Sequence, residues 1–196
     1  IFSKARSLSK NFNQQLNICS FGCSSGEEVL TLSEKYFPSQ KINIFGVEKN
    51  PQLLEKARKL CEGIGPKSRL VSDLDMLKEE FDFIFAMSVF CNWPKSGSLI
   101  NLKHIYSFEQ FEQDMFELRK KIKIGGYLVL HNTNYYFEDT SVFLDFTGVP
   151  PISDHRRFGY IPRFNTNSEL LPCERNKENL FCHTERPGFV FFRRLK

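Results

Sequence analysis

The sequence has no C-x-x-C pair and no cysteine–histidine cluster at zinc-ligand spacing; its six cysteines stand at 19, 23, 61, 91, 173 and 182. That excludes the common structural zinc modules and thioredoxin-type redox motifs, and free thiols in a reducing compartment are the economical expectation. A signal-peptide pattern is also missing, and the longest apolar stretch, residues 81–90, is far too short to span a bilayer. No concentrated run of basic charge occurs. The net charge is +4, but Lys4, Arg6 and Lys10 lie far from the pairs Arg156-Arg157 and Arg193-Arg194, whereas a nucleic-acid surface wants a stripe. Internal repeats and low-complexity tracts are absent as well. These gaps predict a soluble cytoplasmic protein without a metal, membrane or nucleic-acid partner. The chain opens at Ile1 and not at a methionine, which leaves room for an upstream segment.

What is present is the composition of one globular domain: 196 residues, of which 41% are hydrophobic and 26% charged. The 21 phenylalanines predict a thick aromatic core or an aromatic-lined pocket. Residues 3–15 are polar and weakly helical, an N-terminal helix or lid. Strands are expected at 17–21, 42–48, 68–72 and 82–87. Between them, Val29, Leu32 and Tyr36 keep a 3.6-residue period that Pro38 ends, and Asn50-Pro51 opens a second helix carrying Leu53, Leu54, Ala57, Leu60 and Cys61. Ser107 and Gln110 read as a capping box before a face of Phe108, Phe111, Met115, Leu118 and Ile122. Gly125-Gly126 then turns the chain into a fifth strand, YLVLHN. Alternation of strand and helix argues for an α/β fold with a parallel, doubly wound sheet. Beyond residue 147, prolines at 150, 151, 162, 172 and 187 interrupt a polar segment, so residues 148–187 read as an irregular substrate-side region. The last strand, 188–195, is expected to enter antiparallel because no crossover helix precedes it.

The most informative stretch is LNICSFGCSSGEE, ending at Glu28: a buried strand, a loop punctuated by Gly22 and Gly26, and the acidic first turn of a helix. Backbone N–H groups face a ligand at such a junction. A second strand ends about twenty residues later at Glu48, the spacing at which an acid grips a ribose in this fold class. The loop Gly22-Cys23-Ser24-Ser25-Gly26 is G-x-x-x-G and misses the G-x-G-x-x-G dinucleotide fingerprint. Glu27 and Glu28 would repel a pyrophosphate placed on the same helix start. A ligand with a ribose, an α-amino group and no phosphate fits better, and S-adenosylmethionine is such a ligand.

On these residues the chain resembles the class I S-adenosylmethionine-dependent methyltransferases. Its first motif, Ser20 through Glu28, is similar to that of the chemotaxis-receptor carboxyl methyltransferases; the commoner class I pattern has an acid where Ser20 stands. The resemblance implies a Rossmann-like, mostly parallel seven-stranded sheet with an antiparallel last strand, a single domain over residues 1–196, and methyl transfer to a small molecule or a protein carboxylate. The N-terminal receptor-docking domain and the sheet insertion of the chemotaxis enzymes are not recognisable here.

Sites in open α/β sheets lie beyond the carboxyl ends of the strands, which selects Gly22, Cys23, Ser24, Ser25, Gly26, Glu27, Glu48 with Lys49 beside it, Asp73, and Met87, Ser88 and Val89. One Glu48 carboxylate can accept from both ribose hydroxyls; the plainer reading is a surface acid ending a strand. By resemblance, Asp73 accepts from the adenine amino group and Leu74 flanks the ring, though Asp73 equally suits a helix cap. One of Glu27 and Glu28 is implied near the ligand's amino group or sulfonium. The acceptor is expected between the segments after strands four and five, with Phe90, Trp93, Asn134, Tyr135 and Tyr136 as substrate-side candidates and Asn92 and Tyr135 as catalytic ones. His131 reads as a hydrogen-bonded core histidine. Methyl transfer from a sulfonium needs alignment and exclusion of water more than an acid–base pair. A non-catalytic module with the same fold and a nicotinamide-dependent oxidoreductase are the competing readings, the latter opposed by the missing third glycine.

Overall fold

The computed structural model describes residues 1–10, 12, 15–38, 41–64, 68–92, 94–150, 161–175, 181–182 and 190–196. The chain divides into two compact units, Ile1–Ala86 with Lys121–Leu128, and Met87–Lys120 with Val129–Lys196. Strand order through the principal sheet is β3-β2-β1-β4-β5-β9-β6, seven strands, with β7 and β8 paired separately.

In the first unit, β1 (Leu16–Phe21) lies parallel to β2 (Ile42–Val47) and to β4 (Phe81–Met87), and β2 lies parallel to β3 (Ser68–Val71). The register pairs Phe21 with Val47 and Ile18 with Phe83. Strands β1, β2 and β4 are largely buried on both faces, as in parallel sheets generally, whereas the edge strand β3 leaves Arg69 exposed. Phe83, at the centre, stacks on Tyr127 at 5.1 Å and on Phe85 at 6.2 Å. The N-terminal helix α1 (Phe2–Ser9) is tied to this aromatic face: Phe2 meets Phe85 edge-on at 5.3 Å, and Phe12 lies 5.8 Å from Phe83. Thus the segment expected as a lid is anchored on the sheet by its phenylalanines.

Helix α2 (Glu27–Thr31) is shorter than its periodicity predicts and passes into a π-helical turn, Leu32–Tyr36, closed by Phe37 N–H donating to the Leu32 carbonyl at 2.7 Å. The wider turn carries Phe37, and not Tyr36, onto the face that Val29 and Leu32 bury, and Tyr36 goes to the ring of Phe2 at 5.4 Å. Helix α3 (Pro51–Cys61) begins as expected: Asn50 Oδ1 accepts from Gln52 N–H at 3.0 Å and Leu53 N–H at 3.3 Å. Leu54, Ala57 and Cys61 form its buried face, whereas Leu60 is exposed.

Helix α4 (Phe108–Lys120) stops before Ile122, which opens β5 (Ile122–His131) and does not extend the helical face. The two glycines lie inside the strand, not before it. Gly125 has φ +82°, and a Cβ on Gly126 would sit 2.9 Å from the Phe81 carbonyl oxygen, so the strand passes the Phe81 backbone where only glycine fits. Only half of the expected capping box forms. Ser107 Oγ accepts from Gln110 N–H at 3.3 Å, but the Gln110 amide donates along the helix to Asp114 at 3.1 Å.

In the second unit, α4 buries Phe108, Phe111, Met115 and Leu118, and Tyr135 packs on Phe111 and Phe108 at 5.5 and 5.6 Å. Strand β6 (Phe146–Val149) pairs antiparallel with β9 (Phe191–Arg194), the direction expected for the last strand. Phe192 meets Phe137 edge-on at 4.8 Å. Asp145 bridges to Arg119 and, at 3.6 Å, to Lys196, fixing β9's exit against α4. Strands β7 (Glu174–Arg175) and β8 (Phe181–Cys182) form a short antiparallel pair in the region read as irregular. No helix among the described residues is long and apolar enough to cross a membrane.

At the amino end of the sheet, Asp82 is fully buried and its Oδ2 accepts from Lys123 Nζ and from Asn17 N–H, each at 2.8 Å. Removing one partner of such a pair strands a buried charge. Lys123→Met is expected to cost about 3 kcal/mol, read as a lowered urea midpoint with an unchanged slope. Asp82→Asn in the same chain should restore part of the loss.

Candidate ligand-binding site

Three successive amides of the loop leaving β1 are held by the end of β2. Gly22 N–H and Cys23 N–H both donate to the Val47 carbonyl, at 2.8 and 3.0 Å, and Ser24 N–H donates to Glu48 Oε2 at 2.9 Å. The other oxygen, Glu48 Oε1, accepts from Asn50 N–H at 2.8 Å. One half-buried carboxylate therefore joins the glycine loop to the start of α3. Each oxygen keeps a lone-pair direction in reserve, and two vicinal hydroxyls match that pair. Gly26 closes the loop at φ +97° with its N–H on the Cys23 carbonyl at 3.0 Å. A Cβ there would lie 2.9 Å from Ala57 Cα, so loop and α3 touch backbone to backbone.

The remaining first-unit residues surround this frame. Asp73 is exposed and caps the 3-10 turn Leu74–Met76, its Oδ1 accepting from Asp75 N–H at 3.0 Å. The capping alternative is thus realised, with Oδ2 left over for a ligand donor, and Leu74 beside it is buried. Lys49 is exposed. Glu27 is exposed and accepts from the Ser25 hydroxyl at 2.9 Å. Glu28 turns the other way, to the Ser20 hydroxyl at 2.7 Å. Burial pushes the Glu28 carboxyl up, and the Ser20 bond offsets part of that rise.

Thiols crowd the same loop. Burial, and then the charge of Glu48, pushes Cys23 up to about 12. Burial raises Cys19 and Cys61 as well, and Cys61 Sγ donates to the Gly26 carbonyl at 3.7 Å. All three stay neutral thiols at physiological pH. Among the described residues no group of three or more His, Cys, Asp or Glu side chains is placed to hold a metal ion.

In the second unit, the segments after β4 and β5 are laced together. Ser88 N–H donates to the His131 carbonyl at 2.8 Å, Asn132 Nδ2 to Ser88 Oγ at 2.9 Å, and Asn134 N–H to the Phe90 carbonyl at 2.7 Å. Ser88, Asn92 and Asn132 have left-handed backbones, φ 60°, 42° and 54°, as does Ser24 in the first unit at 51°. Non-glycine residues in that region cost energy and persist where surroundings hold them. Here they follow the carboxyl ends of β1, β4 and β5.

The substrate-side candidates fare differently. Trp93 lies outside the described residues. Asn92 is half-buried, its carbonyl accepting from Ser96 N–H at 3.0 Å. Met87, Ser88 and Val89 are not buried, but Phe90 is. Beyond Asn132 the chain turns inward. Asn134 is fully buried with Nδ2 donating to the Pro162 carbonyl at 2.9 Å. Tyr135 is fully buried, its hydroxyl 2.6 Å from the Tyr106 carbonyl and 2.9 Å from Ser168 Oγ, and burial raises its pKa. Tyr136 is buried beneath the Arg163 guanidinium, 4.7 Å above its ring. All three side chains are buried, and burial keeps the Tyr135 phenol neutral. Sequence reasoning missed Arg163 as a partner of Tyr136, the bond from Ser20 to Glu28 and the contact of Ala57 with Gly26. Only the small size of Ala57, four residues before Cys61 on the α3 face, hinted at a close approach.

A glycine loop after β1 and an acid at the tip of β2 lie where open α/β sheets place their ligand sites, beyond the carboxyl ends of the strands. The chain belongs to the methyltransferase domain family, whose model matches residues 19–130. No curated protein matches it by sequence. Among solved structures it is similar to PKMT2 from Rickettsia typhi in complex with AdoHcy, at 19% identity over 66% of this chain and 24% of that one, TM-score 0.47. The cyclopropane synthase MmaA2 from Mycobacterium tuberculosis gives 14% identity over 76% and 42%, TM-score 0.47. The SAM-dependent methyltransferase from Thiobacillus denitrificans, in complex with S-adenosyl-L-homocysteine, gives 14% over 65% and 46%, TM-score 0.43. The chain spans less than half the length of each of these three proteins.

The loop's closure can be tested without a ligand. Gly26→Ala combines a left-handed φ with a clash against Ala57 and is expected to lower stability by roughly 2 kcal/mol. A thermal midpoint equal to that of the parent would refute the close packing.

Proposed function

We propose that this chain is an S-adenosylmethionine-dependent methyltransferase whose acceptor is a small molecule or a protein carboxylate. The observation that carries the reading is the Glu48 carboxylate, fixed by Ser24 and Asn50 amides with an acceptor direction spare on each oxygen. A neutral or mobile side chain there would leave a ribose diol without a preorganised partner. In this reading Glu48 takes the ribose hydroxyls, Asp73 Oδ2 and Leu74 take the adenine, and the loop from Gly22 to Gly26 gives close backbone approach to the amino-acid portion. Similarity of the first motif to the chemotaxis-receptor enzymes favours a carboxylate among the acceptors.

Bound S-adenosylmethionine supplies an electrophilic methyl group on a good leaving group, so the protein's part is chiefly alignment and dryness. The frame of hydrogen bonds around Ser24 is set before any ligand arrives. Cys23, within the loop, is held as the thiol and not the far more nucleophilic thiolate, which keeps the protein from competing with its acceptor. Left-handed Ser88, Asn92 and Asn132 aim the ends of β4 and β5 in directions regular strands do not allow, and the acceptor is assigned to these segments.

Titration calorimetry with S-adenosylmethionine and with its demethylated product tests the reading; no heat at millimolar ligand would end it. Glu48→Ala is expected to weaken binding of both by about 1–3 kcal/mol. An unchanged affinity in that variant removes Glu48 from the site.

A further inference from the structure

Asn134, past the end of β5, is fully buried in the second unit, and three of its four hydrogen-bonding groups are engaged. Its N–H donates to the Phe90 carbonyl at 2.7 Å, its carbonyl accepts from Phe164 N–H at 2.8 Å, and Nδ2 donates to the Pro162 carbonyl at 2.9 Å. Oδ1 finds no donor among the described residues. Turning the carboxamide over would set Oδ1 against the Pro162 carbonyl oxygen, acceptor to acceptor, so the bond to Pro162 fixes which way the amide faces. Two other buried side-chain oxygens among the described residues lack a donor, on Glu79 and Asp82, but each belongs to a carboxylate whose second oxygen faces a cation. The Asn134 amide has no such compensation, and a buried acceptor left unmade costs about 1–3 kcal/mol. A fixed water would need further polar partners, and the hydroxyls that flank Asn134 in the chain are committed elsewhere. Thr133 donates to the Tyr135 carbonyl at 2.7 Å, and the Tyr135 hydroxyl donates to the Tyr106 carbonyl at 2.6 Å.

We propose that Asn134 Oδ1 is a specificity-determining contact that takes a hydrogen bond from an N–H or O–H of the methyl acceptor, which makes the acceptor an amine, an amide or a hydroxyl compound. The inference rests on the methyl-donor reading above, which assigns the acceptor to the segments after β4 and β5, and it narrows the acceptor's chemistry. An ionised carboxylate brings only lone pairs and would meet Oδ1 as a second acceptor. Selection of this kind is steep, because an analogue without the donor leaves the buried oxygen unpaired in the complex as well. Since Asn134 is fully buried, the acceptor reaches Oδ1 only when the cover over it parts, and water is shut out of the bond once it closes.

Radiolabelled methyl transfer from S-adenosylmethionine by the full chain, to the small-molecule and protein fractions of a cell extract, reads the acceptor class once the product is treated with base. Methyl esters hydrolyse and release volatile methanol, whereas methylated amines, amides and ethers keep the label. The expected product is base-stable, and this arm uses the parent protein alone. Asn134→Leu, close in size but without the oxygen, should slow that transfer roughly tenfold, with S-adenosylmethionine affinity by calorimetry unchanged. Asn134→Asp, which keeps an oxygen in the place of Oδ1, should recover most of the rate. Label released as methanol, or base-stable labelling by Asn134→Leu at the parent rate, would overturn the inference and leave the methyl-donor reading intact. Absence of S-adenosylmethionine binding heat in the parent would remove that reading and this inference with it.

Discussion

Two consecutive residues at the end of β2 bind three consecutive amides of the loop that leaves β1. Val47 takes Gly22 and Cys23 with its carbonyl, and Glu48 takes Ser24 with its side chain. This is possible only because β1 and β2 run parallel with Phe21 opposite Val47. A one-residue slip would send every side chain to the other face and move the carbonyl out of reach. Sheet register, loop shape and orientation of the Glu48 carboxylate are therefore one constraint. Helix α3 completes it, since Asn50 both caps that helix and donates its N–H to Glu48, and Ala57 leaves the space that Gly26 occupies.

The charges around the loop divide by environment. Glu48 is held by two backbone donors, whereas Glu28 has one hydroxyl and a buried setting that raises its pKa. Three thiols in the same neighbourhood are kept protonated by burial.

Much of this frame was legible in the sequence because it is built from local signals. Glycines at 22 and 26, an acid ending an apolar strand at 48, and Asn50-Pro51 opening a helix each act over a few residues, and each folds as read. The misreadings share a different cause. Ile122 continues the α4 periodicity in the sequence, yet it belongs to β5, in which Gly125 takes a left-handed φ and Gly126 makes a close approach to Phe81 from a distant strand, and neither marks a turn before the strand. The π-helical turn at 32–36 settles which of Tyr36 and Phe37 is buried, a matter decided by packing partners such as Phe2. The burial of Asn134, Tyr135 and Tyr136 was not legible in the sequence, since their partners Pro162, Ser168 and Arg163 come from a segment with almost no periodic signal.

The first unit also places a buried charge pair and the candidate site at opposite ends of its strands. At the amino ends, Asp82, Lys123 and Asn17 form a buried charged network whose loss is costly and whose groups face no loop of the candidate site. At the carboxyl end of β1, a left-handed Ser24 and the glycine loop hold amides in geometries that a regular strand or helix would not offer. Strain of this kind survives only on a well-anchored base. The stabilising pair at one end and the strained loop at the other are consistent with a sheet that serves as a fixed platform, with ligand recognition assigned to the few residues past its carboxyl edge.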